Sequence, residues 1–130
     1  MNLSFTIHGT PVTKKNSGQI VMVGKFPKIF PSKAFRAWNK EAQLQLAMAR
    51  PKFALACPVN VEALFYREKS IGDAVGFYQA LADALEEAHV VENDRWIVSW
   101  DGSRMLKDAR NPRIEVTITP LAGEQVRIDL

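Results

Sequence analysis

Between Gly72 and Asp94 apolar residues return at helical spacing, and this run restricts the possible folds more than any other stretch. Phe77, Leu81, Leu85 and Ala88 recur every three or four residues, the stripe of a helix with one face in a core. Asp73 stands where that helix should begin, so its carboxylate is expected to cap the first backbone N–H groups at the positive end of the helix dipole. A helix over 74–88 spans about 22 Å at about 1.5 Å per residue. An extended run over 89–93 travels back about 17 Å at about 3.3 Å per residue. Asp94 is thus expected to return toward Asp73. Two carboxylates meeting beside a helix N-terminus are donors of the kind a divalent metal takes. Asp73 alone reads more simply as a cap; the second carboxylate is what raises the metal reading.

The chain has 130 residues, which suits one domain with one core, here taken as 1–130 with a mobile tail expected over 119–130. No apolar run approaches the 18 or so residues of a membrane span, and the first residues lack the pattern of a secretory signal. A cytoplasmic location is expected. The single cysteine, Cys57, excludes an internal disulfide and a cysteine zinc cluster, and two histidines, His8 and His89, exclude a His-rich metal site.

The net charge of +3 hides an asymmetry. Residues 1–40 hold seven basic side chains (Lys14, Lys15, Lys25, Lys28, Lys33, Arg36, Lys40) and no acid. The remaining 90 residues carry 10 basic and 14 acidic groups, a balance of −4. One-sided basic segments are the electrostatic footprint of a polyanionic partner, although a solvated basic surface has the same composition.

Alternation of Leu3, Phe5 and Ile7 predicts a half-buried first strand, ended by Gly9 and Pro11. A polar basic turn over 12–18 leads to a strand over 19–23, with a short strand pairing back over 25–30. Ser32 is the expected N-cap of a first helix whose apolar positions are Phe35, Trp38, Ala42 and Leu46, stopped by Pro51. Val59, Val61, Ala63 and Phe65 alternate in a strand expected at the centre of the sheet. A strand over 95–101 would place Trp96 and Trp100 on one face, in the sheet core, a dimer interface or against exposed bases. Ile114, Val116 and Ile118 alternate in the last strand. Hairpins mixed with helices give an α+β domain with a mixed sheet and two main helices.

In their order and spacing, several features resemble the RusA family of Holliday-junction resolvases. They are Pro11-Val-Thr-Lys-Lys-Asn-Ser17, Pro31-Ser-Lys-Ala-Phe-Arg-Ala-Trp38, and Asp83-Ala-Leu85 eleven residues before Asp94. Asp101-Gly-Ser-Arg104 and Asn111-Pro-Arg-Ile-Glu115 are similar to a phage-type subgroup. The likeness runs from about Phe5 to Thr119. It implies a homodimeric, magnesium-dependent endodeoxyribonuclease, often prophage-borne, that cuts four-way junctions in recombination and repair.

The family's metal site reads Asp-x-Asp-Asn, a helix carrying a lysine, then a third Asp. On the matching positions, Asp73 and Asp94 would be catalytic and would hold Mg²⁺ or Mn²⁺. Val75 stands where the second Asp is expected, Gly76 at the Asn and Gln79 at the lysine. The missing acid is expected to weaken metal binding, and the missing lysine removes a cation that would stabilise the transition state. Glu62, Glu92 and Asp101 are candidate replacements, or else solvated surface acids. Lys14, Lys15, Asn16, Lys33, Arg36, Arg67 and Lys69 would contact DNA. Three readings stand: a junction nuclease, a branched-DNA-binding protein of the same fold that no longer cuts, and a dimeric module with an unrelated partner.

Overall fold

The computed structural model describes residues 2–13, 19–30 and 32–121. Its main sheet is mixed, as expected. Strand β1 (Leu3–His8) pairs antiparallel with β7 (Arg113–Pro120), and β7 pairs antiparallel with β4 (Val59–Arg67). On its other edge β4 runs parallel to two short strands, β5 (Ile97–Ser99) at its start and β6 (Arg104–Lys107) at its end. The strands β2 (Gln19–Val23) and β3 (Phe26–Phe30) form a separate two-stranded hairpin.

Alternation decides the layering. Ile7, the β4 residues Val59, Val61, Ala63 and Phe65, and the β7 residues Ile114, Val116 and Ile118 all point to one face and are buried. The helices α1 (Lys33–Ala49) and α2 (Ala74–Glu87) bury Phe35, Trp38, Ala42 and Leu46, and Phe77, Ala80, Leu81, Ala84 and Leu85, in the same core. The opposite face carries Ser4, Asn60, Glu62, Tyr66, Arg113, Glu115 and Thr117. This arrangement is a two-layer α+β domain with both helices on one side of the sheet.

Both helices start where the sequence places them. Ser32 accepts from the Phe35 N–H at 3.0 Å, and Asp73 accepts from the Gly76 N–H at 2.9 Å. α1 ends at Arg50, whose extended backbone suits a residue before proline. α2 ends in a Schellman turn: Val90 N–H bonds to Leu85 O at 2.9 Å and His89 N–H to Glu86 O at 3.0 Å. His89 takes the left-handed position, φ 60°, usually held by glycine. Leu85 and Val90, both fully buried, complete the motif.

Three expectations are corrected. Residues 89–93 make a turn and one parallel bridge, Leu55 with Val91, because the Schellman turn bends the chain sharply out of α2. Residues 95–101 are not one strand. Asp94–Trp96 form a single 3-10 turn capped by Asn93, whose side chain accepts from Arg95 N–H at 2.9 Å, and β5 begins only at Ile97. Trp96 and Trp100 therefore do not share a strand face. The basic stretch after Ser103 holds β6, which sequence alternation did not reveal. At the other end, Thr119 and Pro120 pair with Asn60 and Val59, so the first two residues of the expected mobile tail belong to β7. Residues 122–130 lie outside the described residues.

Candidate functional site

The crossover from β4 through α2 to β5 sets the site. The loop after Arg67 climbs through Gly72, φ +92°, into Asp73. A Cβ on Gly72 would lie 2.8 Å from the Phe77 ring, so the close seating of this loop on α2 depends on glycine. Gly76 has the same character: a Cβ there would approach Thr13 Cβ to 2.9 Å. The N-terminal segment thus packs on the first turn of α2 through Thr13. At this position the family's asparagine would displace Thr13.

Asp73 is exposed and anchors the helix start through its cap bond. Asp94 is also exposed and opens the 3-10 turn, its N–H held by Glu86 Oε1 at 2.8 Å. Asp94 lines a hollow of about 280 Å³ with Val75, Tyr78, Gln79, Ala82, Ile97 and Trp100. The structure therefore brings Asp94 together with Val75 and Gln79. Asp73 is not among the residues on that wall.

A second hollow of about 460 Å³ lies at the other side of the helix start, lined by residues including Thr13, Ser32, Arg67, Lys69, Gly72 and Phe77. It unites three expected contact regions: the N-terminal turn, the start of α1 and the loop after β4. Lys69 is exposed there. Arg67 is partly committed, donating Nε to Leu106 O at 3.1 Å and Nη1 to Ile71 O at 3.5 Å. Lys33 is exposed at the start of α1. Arg36 instead borders a separate groove of mixed charge, with Lys40, Asp83 and Glu87. Lys14, Lys15 and Asn16 lie outside the described residues.

The proposed replacement acids have other placements. Glu92 Oε2 accepts from Trp96 Nε1 at 2.8 Å. Glu62 projects on the face of β4 opposite the helices and packs beneath Gly102, where a Cβ would meet its carboxylate. Asp101 lies in the turn before β6, its backbone held by the Asn60 side chain. Among the described residues no three His, Cys, Asp or Glu side chains converge to hold a metal ion. A hard cation such as Mg²⁺ needs only one or two protein carboxylates, because water and substrate phosphate complete its octahedron.

The sequence reading missed the aromatic floor of the smaller hollow. The Tyr78 and Trp100 rings lie parallel, centroids 4.5 Å apart and planes 5° from each other. A signal was available. Val75, Tyr78, Gln79 and Ala82 have helical spacing of their own, a second stripe beside the core stripe.

No helix among the described residues is long and apolar enough to cross a membrane. The domain is thus a two-layer α+β fold with one exposed carboxylate at the start of α2, another beside its flank, and exposed lysines nearby. Residues 8–119 match the family model described as endodeoxyribonuclease RusA, and the chain belongs to that family. The family comprises Holliday-junction-resolving endodeoxyribonucleases that act on branched DNA and generally use a divalent metal. No curated protein matches the chain.

Proposed function

We propose that this protein is a structure-specific endodeoxyribonuclease that resolves four-way junctions in recombination and repair, acting as a homodimer in the cytoplasm. Family membership over residues 8–119 is the observation that carries this reading. Asp73 and Asp94 would hold Mg²⁺ or Mn²⁺, which when bound polarises the scissile phosphate and lowers the pKa of a water. Other contributions come from the chain itself. Lys69, Lys33 and Arg67, with Lys14, Lys15 and Asn16, position the phosphate backbone; Arg36, in the first turn of α1, contributes from the neighbouring groove. Two symmetric subunits suit paired cuts on opposing strands of a junction.

A second reading has a specific observation in its favour. Val75, 61% exposed, occupies the wall beside Asp94 where the family site has an acid, and Asp73 is not on that wall. A protein with this wall binds branch points through phosphates and leaves the strands intact.

One assay separates the two. Purified protein is incubated with a synthetic four-way junction or a linear duplex, with Mg²⁺, Mn²⁺ or EDTA. The nuclease reading expects metal-dependent nicks in the junction, with a rate about 100-fold lower in Asp94→Asn. Tight junction binding without nicking in either metal establishes the second reading and removes the first.

A further inference from the structure

The hollow beside Asp94 differs in chemistry from the basic regions around it. Its floor is the stacked Tyr78–Trp100 pair, and its apolar walls are Val75, Ala82 and Ile97. Gln79 supplies an amide and Asp94 a carboxylate; among the described residues no cation lines it. Tyr78 also meets the Phe65 ring at 5.9 Å, and Phe65 meets Phe77 at 5.4 Å. The aromatic floor is therefore fixed to the hydrophobic core, yet one side opens to solvent.

Without a metal ion on Asp94, a phosphate on this wall would face a carboxylate and no described cation. A flat, uncharged group with hydrogen-bonding edges does fit: aromatic surface for its face, an amide for its edge. Within a family that acts on branched DNA, the group of that description is a nucleobase. Stacking on protein aromatics requires the base to have left its helical stack, and unstacking is easiest at a branch.

We infer that this hollow takes one unpaired base at the branch point, stacked against the Tyr78–Trp100 pair and met at its edge by Gln79. The inference rests on the branched-DNA reading, in either its cutting or non-cutting form. The hollow is a specificity site. It favours DNA whose bases can leave the duplex, and it contributes little on an intact linear helix. Val75 belongs to it as an apolar wall, which assigns a role to the position where the family's second acid is absent.

The test measures binding in EDTA, so that cutting does not interfere, with a four-way junction carrying 2-aminopurine at the crossover and a linear duplex of the same arms. The wild type is expected to prefer the junction and to change the 2-aminopurine emission. Trp100→Leu is expected to weaken junction binding about tenfold, to leave duplex binding nearly unchanged and to abolish the emission change. Trp100→Phe, which keeps a stacking face, should retain most of both. Val75→Phe closes the hollow from an exposed position, without entering the core, and should reproduce the Trp100→Leu loss. Equal losses on junction and duplex, or an unchanged emission response in both Trp100→Leu and Val75→Phe, overturn the base site while leaving the branched-DNA reading intact. A wild type that binds junction and duplex alike overturns that reading, and the base site with it.

Discussion

Two polar clusters lie on opposite layers of this domain, and only one of them is closed. On the open face of the sheet, Arg113 donates to Asp108 at 3.0 Å and to Glu115 at 2.9 Å, and its guanidinium stands 3.8 Å from the centre of the Tyr66 ring. Asp108 in turn accepts from the N–H groups of Arg110 and Asn111, both at 3.2 Å. Every member points at another, so the cluster fastens the β6–β7 turn to the sheet. The corner around α2 is arranged differently. Asp94 accepts no hydrogen bond through its carboxylate among the described residues, and the hollow it borders is open. Satisfied polar groups are architecture, whereas polar groups left open beside a rigid aromatic floor are available for a ligand.

The largest expected effect on stability tests the closed cluster. Arg113→Leu removes the central donor and leaves Asp108 and Glu115 facing each other, so thermal unfolding should occur at clearly lower temperature. Junction binding per folded molecule should stay close to wild type, because the cluster lies on the face away from the helices. A selective loss of junction binding by a well-folded variant breaks the division between the two regions. The cluster also has a pH signature. The hydrogen bond from Arg113 holds the Asp108 carboxyl below its ordinary value, with the N–H groups of Asn111 and Arg110 adding to the effect. The folded state thus binds protons less readily than the unfolded chain. The stabilisation is complete above the usual aspartate value of about 3.9 and is lost as pH falls through the lower folded-state value. Arg113→Leu should flatten this acid limb of the stability curve.

Asp73 is the next comparison, because it combines a structural role with a proposed chemical one. Asparagine caps a helix about as well as aspartate, while alanine costs roughly 1 kcal/mol of stability. Asp73→Asn should therefore melt like the wild type and Asp73→Ala about that amount lower. The nuclease reading expects both to lose cutting, since each lacks the carboxylate. If Asp73→Asn cuts normally, Asp73 is only a cap, and the proposed pair of metal ligands reduces to Asp94.

Much of this fold could be read in the sequence, and the successes share a cause. The stripe on α2, the caps Ser32 and Asp73, and the alternation of β4 and β7 are local patterns with one physical meaning each. The failures arose where a local pattern was overridden by its neighbours. Asn93 caps a 3-10 turn where apolar residues suggested a strand, and β6 forms because β4 offers a parallel edge, although its four residues, two adjacent apolar ones between two charged ones, do not alternate. The candidate site was legible only in part. Asp73 and Asp94 were visible as acids at the two ends of a helical unit. That Asp94 would face the flank bearing Val75 and Gln79, rather than the helix start alone, depends on the path of the chain through the Schellman turn. The stacking of Tyr78 on Trp100 required the tertiary fold, since 22 residues separate them in sequence.

Val75→Asp makes the smallest structural change and gives the sharpest comparison of the two roles assigned to one hollow. Val75 is 61% exposed, so little apolar burial is lost. It is the second residue of α2, where a carboxylate interacts favourably with the helix dipole, and stability should rise by about 0.5 kcal/mol. The functional consequences point in opposite directions. An acid restored beside Asp94 should let cutting begin at lower Mg²⁺ concentration, because the ion gains an anionic oxygen. The same charge on the wall of an apolar base site should weaken junction binding in EDTA more than duplex binding. Both changes together mean that the hollow serves metal and base at adjoining edges. A gain in cutting with unchanged junction preference removes Val75 from the base site. Weakened junction preference with no change in metal dependence places the metal away from this wall, so the family's second acid would have no equivalent position here. Since the substitution is expected to stabilise the fold, a lost activity cannot be attributed to unfolding.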